Sequence, residues 1–187
     1  MTGQLFVIVG PSGAGKDTLL QLAVAADPGF HWARRVITRP ETKSAEMGGA
    51  RTDEAEPFQG VTAVVFQARL AAGDFALDWQ AHGLCYAVPK SELAPMDAGR
   101  DVLLNGSRGA LLRAQARFPA LKVIQITAPA TVLAGRLAHR GRESRAEIEL
   151  RLLRAVFALP DGIVAREVVN DASPEIGLAR LFQALRG

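Results

Sequence analysis

The chain has 187 residues, a length that suits one domain and can bury a substantial hydrophobic core without disulfides or metals. Apolar residues make up 49% and charged residues 22%, the balance of an ordinary globular protein. The formal net charge is +3, but the arginines are scattered rather than gathered into a basic tail, so we expect no nucleic-acid partner. One cysteine, no leader-like N-terminus and no apolar run near the roughly 20 residues of a membrane span predict a cytoplasmic protein without a membrane partner.

The first half of the chain alternates between short apolar runs and helix-like stretches. The run at 5–9 is continuous and rich in β-branched residues, which is typical of a strand buried on both faces in a parallel sheet. The elements predicted after it, in chain order, are a helix at 16–26, a strand at 35–38, a polar loop or small excursion from the core over 41–60, a helix at 63–72, a pair of strands at 75–79 and 84–88, and a short helix at 90–98.

The second half of the chain continues the alternation. Its predicted elements are a strand at 101–105, a helix at 111–118, a strand at 121–127, helices at 131–139 and 145–159, a strand at 165–169 and a final helix at 174–185. Because strands and helices alternate, the sequence predicts an α/β fold. We expect a parallel β-sheet core flanked by helices, in a single domain over residues 1–187.

A glycine-rich segment joins the first predicted strand to the first helix. It reads Gly10-Pro11-Ser12-Gly13-Ala14-Gly15-Lys16-Asp17-Thr18, and its spacing of glycines and lysine is that of the P-loop. Glycines let the backbone turn so that successive N–H groups point at phosphate oxygens, and the helix N-terminus adds its positive dipole end. Lys16 supplies a mobile cation for the β- and γ-phosphates. The sequence therefore predicts that this loop binds ATP.

Asp17 departs from the P-loop pattern, in which a serine or threonine follows the lysine and its hydroxyl binds Mg²⁺. A carboxylate is a better ligand for a hard cation than a hydroxyl, so we expect Asp17 to contact Mg²⁺ directly or through water. The alternative is that Asp17 only caps the start of the helix. Asn105 ends a predicted strand, where P-loop enzymes often place an aspartate for Mg²⁺. Our hypothesis is that Asp17 offsets this missing acid.

Two groups of arginines are candidates for binding phosphate, since a guanidinium group makes forked hydrogen bonds to phosphate oxygens. Arg39, between a predicted strand and a proline, is a candidate ligand of an acceptor phosphate. Arg136, Arg140 and Arg142 surround a glycine, and a glycine hinge that carries arginines is what a closing lid at about 136–146 requires. The alternative is a solvated charged face between two helices.

Other chemistries find little support in the sequence. The three histidines lack metal-ligand spacing, and no serine lies in a nucleophile elbow. Asp78 and His82 are candidates for substrate recognition, whereas Phe75, Trp79 and Tyr86 are expected mainly in the core.

Taken together, these motifs resemble the guanylate kinase-like superfamily of P-loop kinases. The resemblance covers nearly the whole chain and is carried by the P-loop, Thr38-Arg39-Pro40, Phe75-x-x-Asp78-Trp79 with His82-Gly83 and Tyr86, the lid arginines and Val169-Asn170-Asp171. Within the superfamily the chain most resembles the ribose 1,5-bisphosphate phosphokinase family, on Gly15-Lys16-Asp17, Asn105-Gly106-Ser107-Arg108 and Arg140-Gly141-Arg142-Glu143. A guanylate kinase would carry Ser or Thr at position 17 and an acidic pair at positions 105 and 107.

The resemblance implies a kinase of phosphonate catabolism that uses ATP and Mg²⁺ to convert ribose 1,5-bisphosphate to 5-phosphoribosyl 1-diphosphate. It implies catalytic roles for Lys16, Arg136, Arg140 and Arg142, and nucleotide binding by residues 10–18 and by Asn170 near the adenine. It also implies that the acceptor binds mainly within a subregion at about 34–90. The implied acceptor ligands are Arg35, Arg39, Asp78, His82, Tyr86, Asn105, Ser107 and Arg108.

Two other functions stay open on the sequence alone. One is guanylate kinase activity, in which the residue at the position of Asp78 helps to read guanine. The other is a catalytically silent guanylate kinase-like interaction module. The 41–58 segment matches the family only loosely, which leaves the acceptor pocket less defined. The sequence does not decide between a monomer and a homodimer.

Overall fold

The computed structural model describes residues 2–39, 58–139 and 158–187. In chain order, the strands are β1 (Leu5–Val9), β2 (Phe30–Trp32), β3 (Arg35–Ile37), β4 (Phe58–Gly60), β5 (Phe75–Ala81), β6 (Leu84–Pro89), β7 (Asp101–Asn105), β8 (Lys122–Thr127) and β9 (Ala165–Val169). The α-helices are α1 (Lys16–Ala26), α2 (Ala63–Ala71), α3 (Leu111–Arg117), α4 (Ala130–His139) and α5 (Pro174–Arg186). Within the described part of the chain, no helix combines the length and apolar character needed to cross a bilayer.

The main sheet has five parallel strands in the order β2-β7-β1-β8-β9. β1 lies at its centre, and all five of its residues are buried, as expected for a strand covered on both faces. The carboxyl ends of β1 and β7 lie side by side, since Ile8 pairs with Asn105. The P-loop after β1 and the polar segment after β7 therefore leave the sheet at the same edge, where ligands bind in open α/β sheets.

The alternating side chains of β1 divide the core into two layers, because successive residues of a strand point to opposite faces. Phe6 and Ile8 belong to a cluster that α1 and α5 cover, through buried residues such as Leu19 and Leu181. The other face of β1 belongs to a second cluster, which α3 and part of the second sheet cover. Its buried members include Leu5, Val7, Val9, Leu77, Trp79, Val88, Leu104 and Leu111.

The second sheet has four strands in the order β4-β3-β6-β5 and lies between β2 and β7 in the sequence. β5 and β6 form an antiparallel hairpin whose turn is His82-Gly83, with φ of 53° and 74°. Positive φ at both central residues is the requirement of a tight type I′ hairpin turn. Strand β3 joins the hairpin through antiparallel pairing with β6, and the Thr38 hydroxyl accepts a hydrogen bond of 2.9 Å from the Cys85 amide.

The structure confirms the predicted α/β fold, the parallel sheet and its flanking helices. Two local predictions were wrong and one strand was not predicted. The three-residue strand β2 was missed, 58–60 form strand β4 rather than loop, and 90–98 form two short 3₁₀ segments rather than one helix. Strands of three residues are too short to show a two-residue period. Most of the predicted 41–60 segment and all but the last two residues of the predicted helix at 145–159 lie outside the described residues, and 158–159 are not helical.

Replacement of Leu103 by alanine tests how far stability depends on the central layer. Leu103 is fully buried on β7 beside β1, so Leu103→Ala is expected to lower the free energy of unfolding by about 3–5 kcal/mol. Leu112→Ala is the matched control, because Leu112 is 52% exposed on α3, and its effect is expected to stay within about 0.5 kcal/mol. Denaturant unfolding measures both, and equal losses in the two variants would contradict the assignment of the core.

Candidate active site

The P-loop backbone adopts conformations that only glycine tolerates well. Gly13 and Gly15 have φ of 86° and 84°, in the left-handed region, and Gly15 is the residue before the first turn of α1. A Cβ at Gly10 would lie 2.1 Å from the carbonyl oxygen of Ile126 on β8. The loop therefore packs closely against β8 before it enters α1. It has the strand–loop–helix context that the phosphate-binding motif requires.

The side chain of Lys16 reaches back into the P-loop, which precedes it in the sequence. Its ammonium donates hydrogen bonds of 2.9 Å to the carbonyl oxygens of Gly10 and Pro11. Lysine is a point charge on a flexible four-carbon stem, so the ammonium can exchange these carbonyls for phosphate oxygens with little backbone movement. The cation is already at the loop where the sequence predicts the β- and γ-phosphates.

Asp17 contacts Asn105, the residue that sequence reasoning paired with it. The Asn105 side-chain amide, 5% exposed, donates a hydrogen bond of 2.8 Å to Oδ1 of Asp17. The residue at the cap position of α1 is Gly15, and the helix start has no side-chain cap hydrogen bond. Asp17 lies in the first turn of α1, two residues after the cap position, and its contact with Asn105 is one that a capping role alone does not require. One carboxylate oxygen is held by β7, and Oδ2 has no assigned partner within the described residues.

Two side chains hold the carbonyl groups of the P-loop from outside. Asn170, directly after β9 and 5% exposed, donates a hydrogen bond of 2.8 Å to the carbonyl oxygen of Ala14. Its own backbone amide bonds to Thr127 at 2.7 Å, so its position is fixed by the end of β8. Arg136 on α4 reaches the carbonyl oxygens of Gly13 and Ala14 at longer distances of 3.5 and 3.4 Å.

These residues line a cleft of about 370 Å³ beside the P-loop. Its walls come from the loop, α1, α4 and the segment after β9, through Gly13, Gly15, Thr18, Leu19, Gly135, Arg136, Asn170, Ala172 and Pro174. Sequence reasoning placed Asn170 near the adenine. The structure places Asn170 in this cleft, but its amide nitrogen is engaged by the loop and its Oδ1 is buried against α5 with no hydrogen-bond partner among the described residues.

The segment after β9 is anchored by an ion pair. Asp171 lies 2.7 Å from Arg180 on α5, and Arg180 also donates a hydrogen bond to the carbonyl oxygen of Val169. The hydrogen bond from Arg180 holds the pKa of the Asp171 carboxyl below its ordinary value. Both side chains are about 40% exposed, so the pair orients the chain around Asn170 rather than adding much stability.

On the acceptor side, three strands bring one arginine and two aromatic rings together. The rings of Trp79 on β5 and Tyr86 on β6 are stacked, with centroids 5.5 Å apart and planes 5° apart. The Arg35 guanidinium on β3 lies 5.2 Å from the Tyr86 centroid and 5.8 Å from the Trp79 centroid. Arg39 lies apart from this stack, exposed at the end of β3, with its guanidinium 4.0 Å from the Phe58 ring centroid.

The structure does not group Asp78 and His82 with that stack. Trp79 pairs with Tyr86, and by the alternation of strand side chains Asp78 points to the other face of the sheet. Its carboxylate forms a 3.2 Å ion pair with Arg113 on α3. His82 is exposed at the tip of the hairpin. Their roles in acceptor recognition stay predictions.

Ser107 and Arg108 follow Asn105 at the sheet edge and begin a short 3₁₀ turn, in which the Ala110 amide bonds to the Ser107 carbonyl at 2.9 Å. Arg140 and Arg142 lie outside the described residues, so the lid stays a prediction. Within the described residues no cluster of three or more His, Cys, Asp or Glu side chains forms a ready-made metal site.

Sequence reasoning missed two groups that shape the site. Trp79, expected in the core, is 6% exposed and also contacts the Arg35 guanidinium. The pairing of the hairpin strands could have indicated its contact with Tyr86 but not the one with Arg35 on β3. Gly177 on α5 was missed because a lone glycine in a helix carries no signal of its own. A Cβ at Gly177 would lie 2.6 Å from Oδ1 of Asn170.

No protein-family model matches the sequence. Known proteins resemble it over nearly its whole length. It is 43% identical over 97% of its length to ribose 1,5-bisphosphate phosphokinase PhnN of Agrobacterium fabrum and covers 96% of that protein. Against the PhnN of a Ruegeria species the identity is 46% over 86% of the chain, with 80% of the relative covered. The chain belongs to the ribose 1,5-bisphosphate phosphokinase family.

Some members of this phosphokinase family are much longer. The chain is 42% identical over 99% of its length to the bifunctional ribose 1,5-bisphosphokinase-thymidine phosphorylase of Cupriavidus necator, of which it spans only 29%. The fold extends beyond the family. The guanylate kinase of Anaplasma phagocytophilum matches with a TM-score of 0.70 at 20% identity, covering 99% of this chain and 85% of that one. That likeness shows a guanylate kinase-like fold.

Replacement of Gly177 by alanine tests whether the hydrogen bond from Asn170 to the Ala14 carbonyl supports the P-loop. The new Cβ would clash with Asn170 Oδ1 and lie 2.9 Å from Leu19 Cδ2, so the bond from Asn170 to the loop must weaken. We expect the dissociation constant for ATP to rise by about 10-fold, the effect of about one hydrogen bond. Ile176→Ala, at a residue 47% exposed on the same helix, is the control and is expected to leave ATP affinity unchanged. Unaltered ATP affinity in Gly177→Ala, measured by equilibrium titration, would refute this role.

Proposed function

We propose that this chain transfers the γ-phosphoryl group of ATP to ribose 1,5-bisphosphate, releasing ADP and 5-phosphoribosyl 1-diphosphate. The observation that carries the proposal is the hydrogen bond between Asp17 and Asn105, because it joins two positions at which the chain departs from the guanylate kinase pattern. The similarity to whole-length relatives named for this kinase supports the same acceptor. Use of ATP also fits the cytoplasmic location expected from the sequence.

In the proposed reaction, an oxygen of the acceptor's 1-phosphate attacks the γ-phosphorus. The bond from that phosphorus to the β–γ bridging oxygen breaks, and ADP leaves with the electron pair. The attacking phosphate is already an anion, so the transfer needs no general base and no covalent enzyme intermediate. The protein's task is to align two anions and to offset their charge.

The donor side of the site supports this task with groups that are already in place. The N–H groups of the P-loop and the start of α1 favour the triphosphate. Lys16, held 2.9 Å from two loop carbonyls, is proposed to bind the β- and γ-phosphates. Arg136, which lies over the loop, is proposed to approach the transferring group together with Arg140 and Arg142.

Mg²⁺ fits the chemistry at the start of α1, since hard divalent cations take oxygen ligands. Asp17, in the first turn of α1, presents a carboxylate that Asn105 orients. We propose Asp17 as the Mg²⁺ ligand, directly or through water. When bound, Mg²⁺ offsets negative charge on the β- and γ-phosphates.

The decisive test compares acceptors. The protein is incubated with Mg²⁺ and ATP and either ribose 1,5-bisphosphate or GMP, and ADP release is followed. Turnover is expected with the bisphosphate and little or none with GMP. Turnover with GMP alone would overturn the proposal in favour of a guanylate kinase, and absence of both turnover and ATP binding would favour a catalytically silent module.

Replacement of Asp17 tests the metal assignment. Asp17→Ala is expected to abolish Mg²⁺-dependent turnover while ATP binding survives, because the loop and Lys16 stay intact. Asn105→Ala removes only the orienting amide, so turnover is expected to fall about 10- to 100-fold and to recover in part at high Mg²⁺. Direct titration with Mn²⁺, followed by its electron spin resonance signal, reports metal affinity independently of turnover.

Asp97→Ala serves as the control for that experiment, because Asp97 is exposed on a 3₁₀ segment away from the P-loop. Its turnover and metal affinity are expected to match those of the unmodified protein. Near-normal turnover of Asp17→Ala would exclude Asp17 as a metal ligand.

A further inference from the structure

The described part of the chain passes between the two sheets at two places. The outward crossing, residues 33–34, joins β2 of the main sheet to β3 of the second sheet. The return crossing, residues 90–100, joins β6 to β7 and contains the two 3₁₀ segments. All four strands of the second sheet and α2 lie between these crossings in the sequence. The orientation of the second sheet relative to the main sheet therefore depends on them.

A single carboxylate oxygen joins the two crossings. Oε2 of Glu92, in the first 3₁₀ segment, accepts a hydrogen bond of 2.8 Å from the backbone N–H of Arg34. The same oxygen lies 2.8 Å from Nε2 of His31 on β2. Because a carboxylate only accepts hydrogen bonds, the imidazole nitrogen is the donor. Glu92 thus connects the return crossing both to the outward crossing and to the main sheet.

On the outward crossing, Glu92 binds at the point where the chain changes sheets. The Ala33 amide donates a hydrogen bond of 2.9 Å to the Leu103 carbonyl on β7, so this residue belongs to the main sheet. The Arg34 guanidinium donates a hydrogen bond of 3.0 Å to the Phe58 carbonyl on β4, so this side chain belongs to the second sheet. The N–H that Glu92 accepts is the one between these two attachments.

Glu92 has the same place on the return crossing. The Lys90 amide donates a hydrogen bond of 2.9 Å to the carbonyl of Asp74, directly before β5 of the second sheet. The Met96 carbonyl accepts a hydrogen bond of 2.8 Å from the amide of Gly3, directly before β1 of the main sheet. Glu92 lies between the residue attached to one sheet and the residue attached to the other.

The contact is placed to influence the acceptor side of the site. The side chains of His31 and Glu92 are only 27% and 22% exposed, so water screens their contact less than it screens a surface pair. Arg35, a candidate acceptor ligand, directly follows the amide that Glu92 holds. Transfer requires the reacting atoms about 3–3.5 Å apart, and a displacement of about 1 Å can cost about 100-fold in rate.

We propose that Glu92 is a positioning residue for phosphoryl transfer. Its carboxylate, held by His31 and by the Arg34 amide, sets the orientation of the second sheet relative to the P-loop, and with it the distance from the acceptor phosphate to the γ-phosphorus. Glu92 acts through the second sheet rather than on either substrate. This inference rests on the proposed function, in which the second sheet carries the acceptor.

Replacement of Glu92 tests the inference by separating kcat from KM. Glu92→Ala is expected to lower kcat with ribose 1,5-bisphosphate by about 10- to 100-fold. KM for the bisphosphate and the dissociation constant for ATP are expected to change by less than about threefold, because each substrate keeps its own ligands. Glu92→Gln keeps an oxygen for the Arg34 amide, so its kcat is expected to stay within about threefold of that of the unmodified protein.

Replacement of His31 tests the other side of the contact. His31→Phe keeps a ring but removes the donor, and it is expected to lower kcat in the same way as Glu92→Ala but less. His31→Gln keeps an N–H close to the position of Nε2 and is expected to retain kcat. Since Glu92→Ala and His31→Phe remove the same contact, the double variant is expected to lose no more than Glu92→Ala alone.

Asp74→Ala is the matched control. The Asp74 carboxylate also forms an ion pair, 3.3 Å from Arg69, but this pair lies entirely on the second-sheet side, between α2 and the start of β5. Its loss is expected to leave kcat and both substrate affinities unchanged.

A distance measurement between the sheets tests the inference without turnover. In a Cys85→Ser background, which removes the single cysteine, spin labels are attached to cysteines that replace Gln67, exposed on α2, and Ala179, exposed on α5. Helix α2 packs on the second sheet through Phe66, and α5 packs on the main sheet. Double electron–electron resonance is expected to show a shifted or broader distance distribution in Glu92→Ala but not in Glu92→Gln.

This measurement separates the inference from the proposed function. If the unmodified protein does not convert ribose 1,5-bisphosphate, the proposed function fails, but a distribution altered in Glu92→Ala and unaltered in Asp74→Ala still supports the role of Glu92 in orienting the sheet. An unaltered distribution or a normal kcat in Glu92→Ala, or a loss of ATP affinity that parallels the loss of kcat, overturns the inference. Thermal melting identifies misfolding, and the comparison of His31→Phe with His31→Gln decides the outcome if Glu92→Ala does not fold.

Discussion

The candidate active site depends on the hydrogen-bond donors that the protein supplies to the carbonyl groups of the P-loop. The loop must turn its N–H groups toward phosphate, so its carbonyls point back into the protein and need donors there. Lys16 donates to two of them, and Asn170 and Arg136 reach the carbonyl of Ala14. These donors come from α1, α4 and the end of β9, so the loop conformation is set by three separate elements of the fold rather than by its glycines alone.

The hydrogen bond between Asp17 and Asn105 makes the identity of each residue depend on that of the other. An aspartate at position 105 would place a second carboxylate against Asp17, and like charges at hydrogen-bond distance oppose each other. An asparagine supplies a donor to the same oxygen at 2.8 Å. The neutral residue on β7 and the acid on α1 are therefore compatible with each other, and the charge expected at the end of β7 lies instead in the first turn of α1.

Much of this arrangement could be predicted from the sequence. The rest depends on contacts between residues that are far apart in the sequence, which local patterns do not reveal. The run at 5–9 and the P-loop are continuous in sequence, so their structure and their phosphate chemistry followed directly. Strand β2 has only three residues and owes its structure to pairing with β7. The stack of Arg35 on Trp79 and Tyr86 depends on the register of three strands, which spacing alone does not determine. Gly177 matters only because Asn170 lies against it.

The division of the core into two layers has a consequence for where substitutions are tolerated. The helices α1 and α5 cover one face of β1, and the second sheet with α3 covers the other. The helices α1 and α5 and the second sheet are therefore packed on opposite faces of the same central strand. Substitutions among the second-sheet residues of the one cluster are therefore expected to leave the packing of α1 and α5 beneath the P-loop undisturbed.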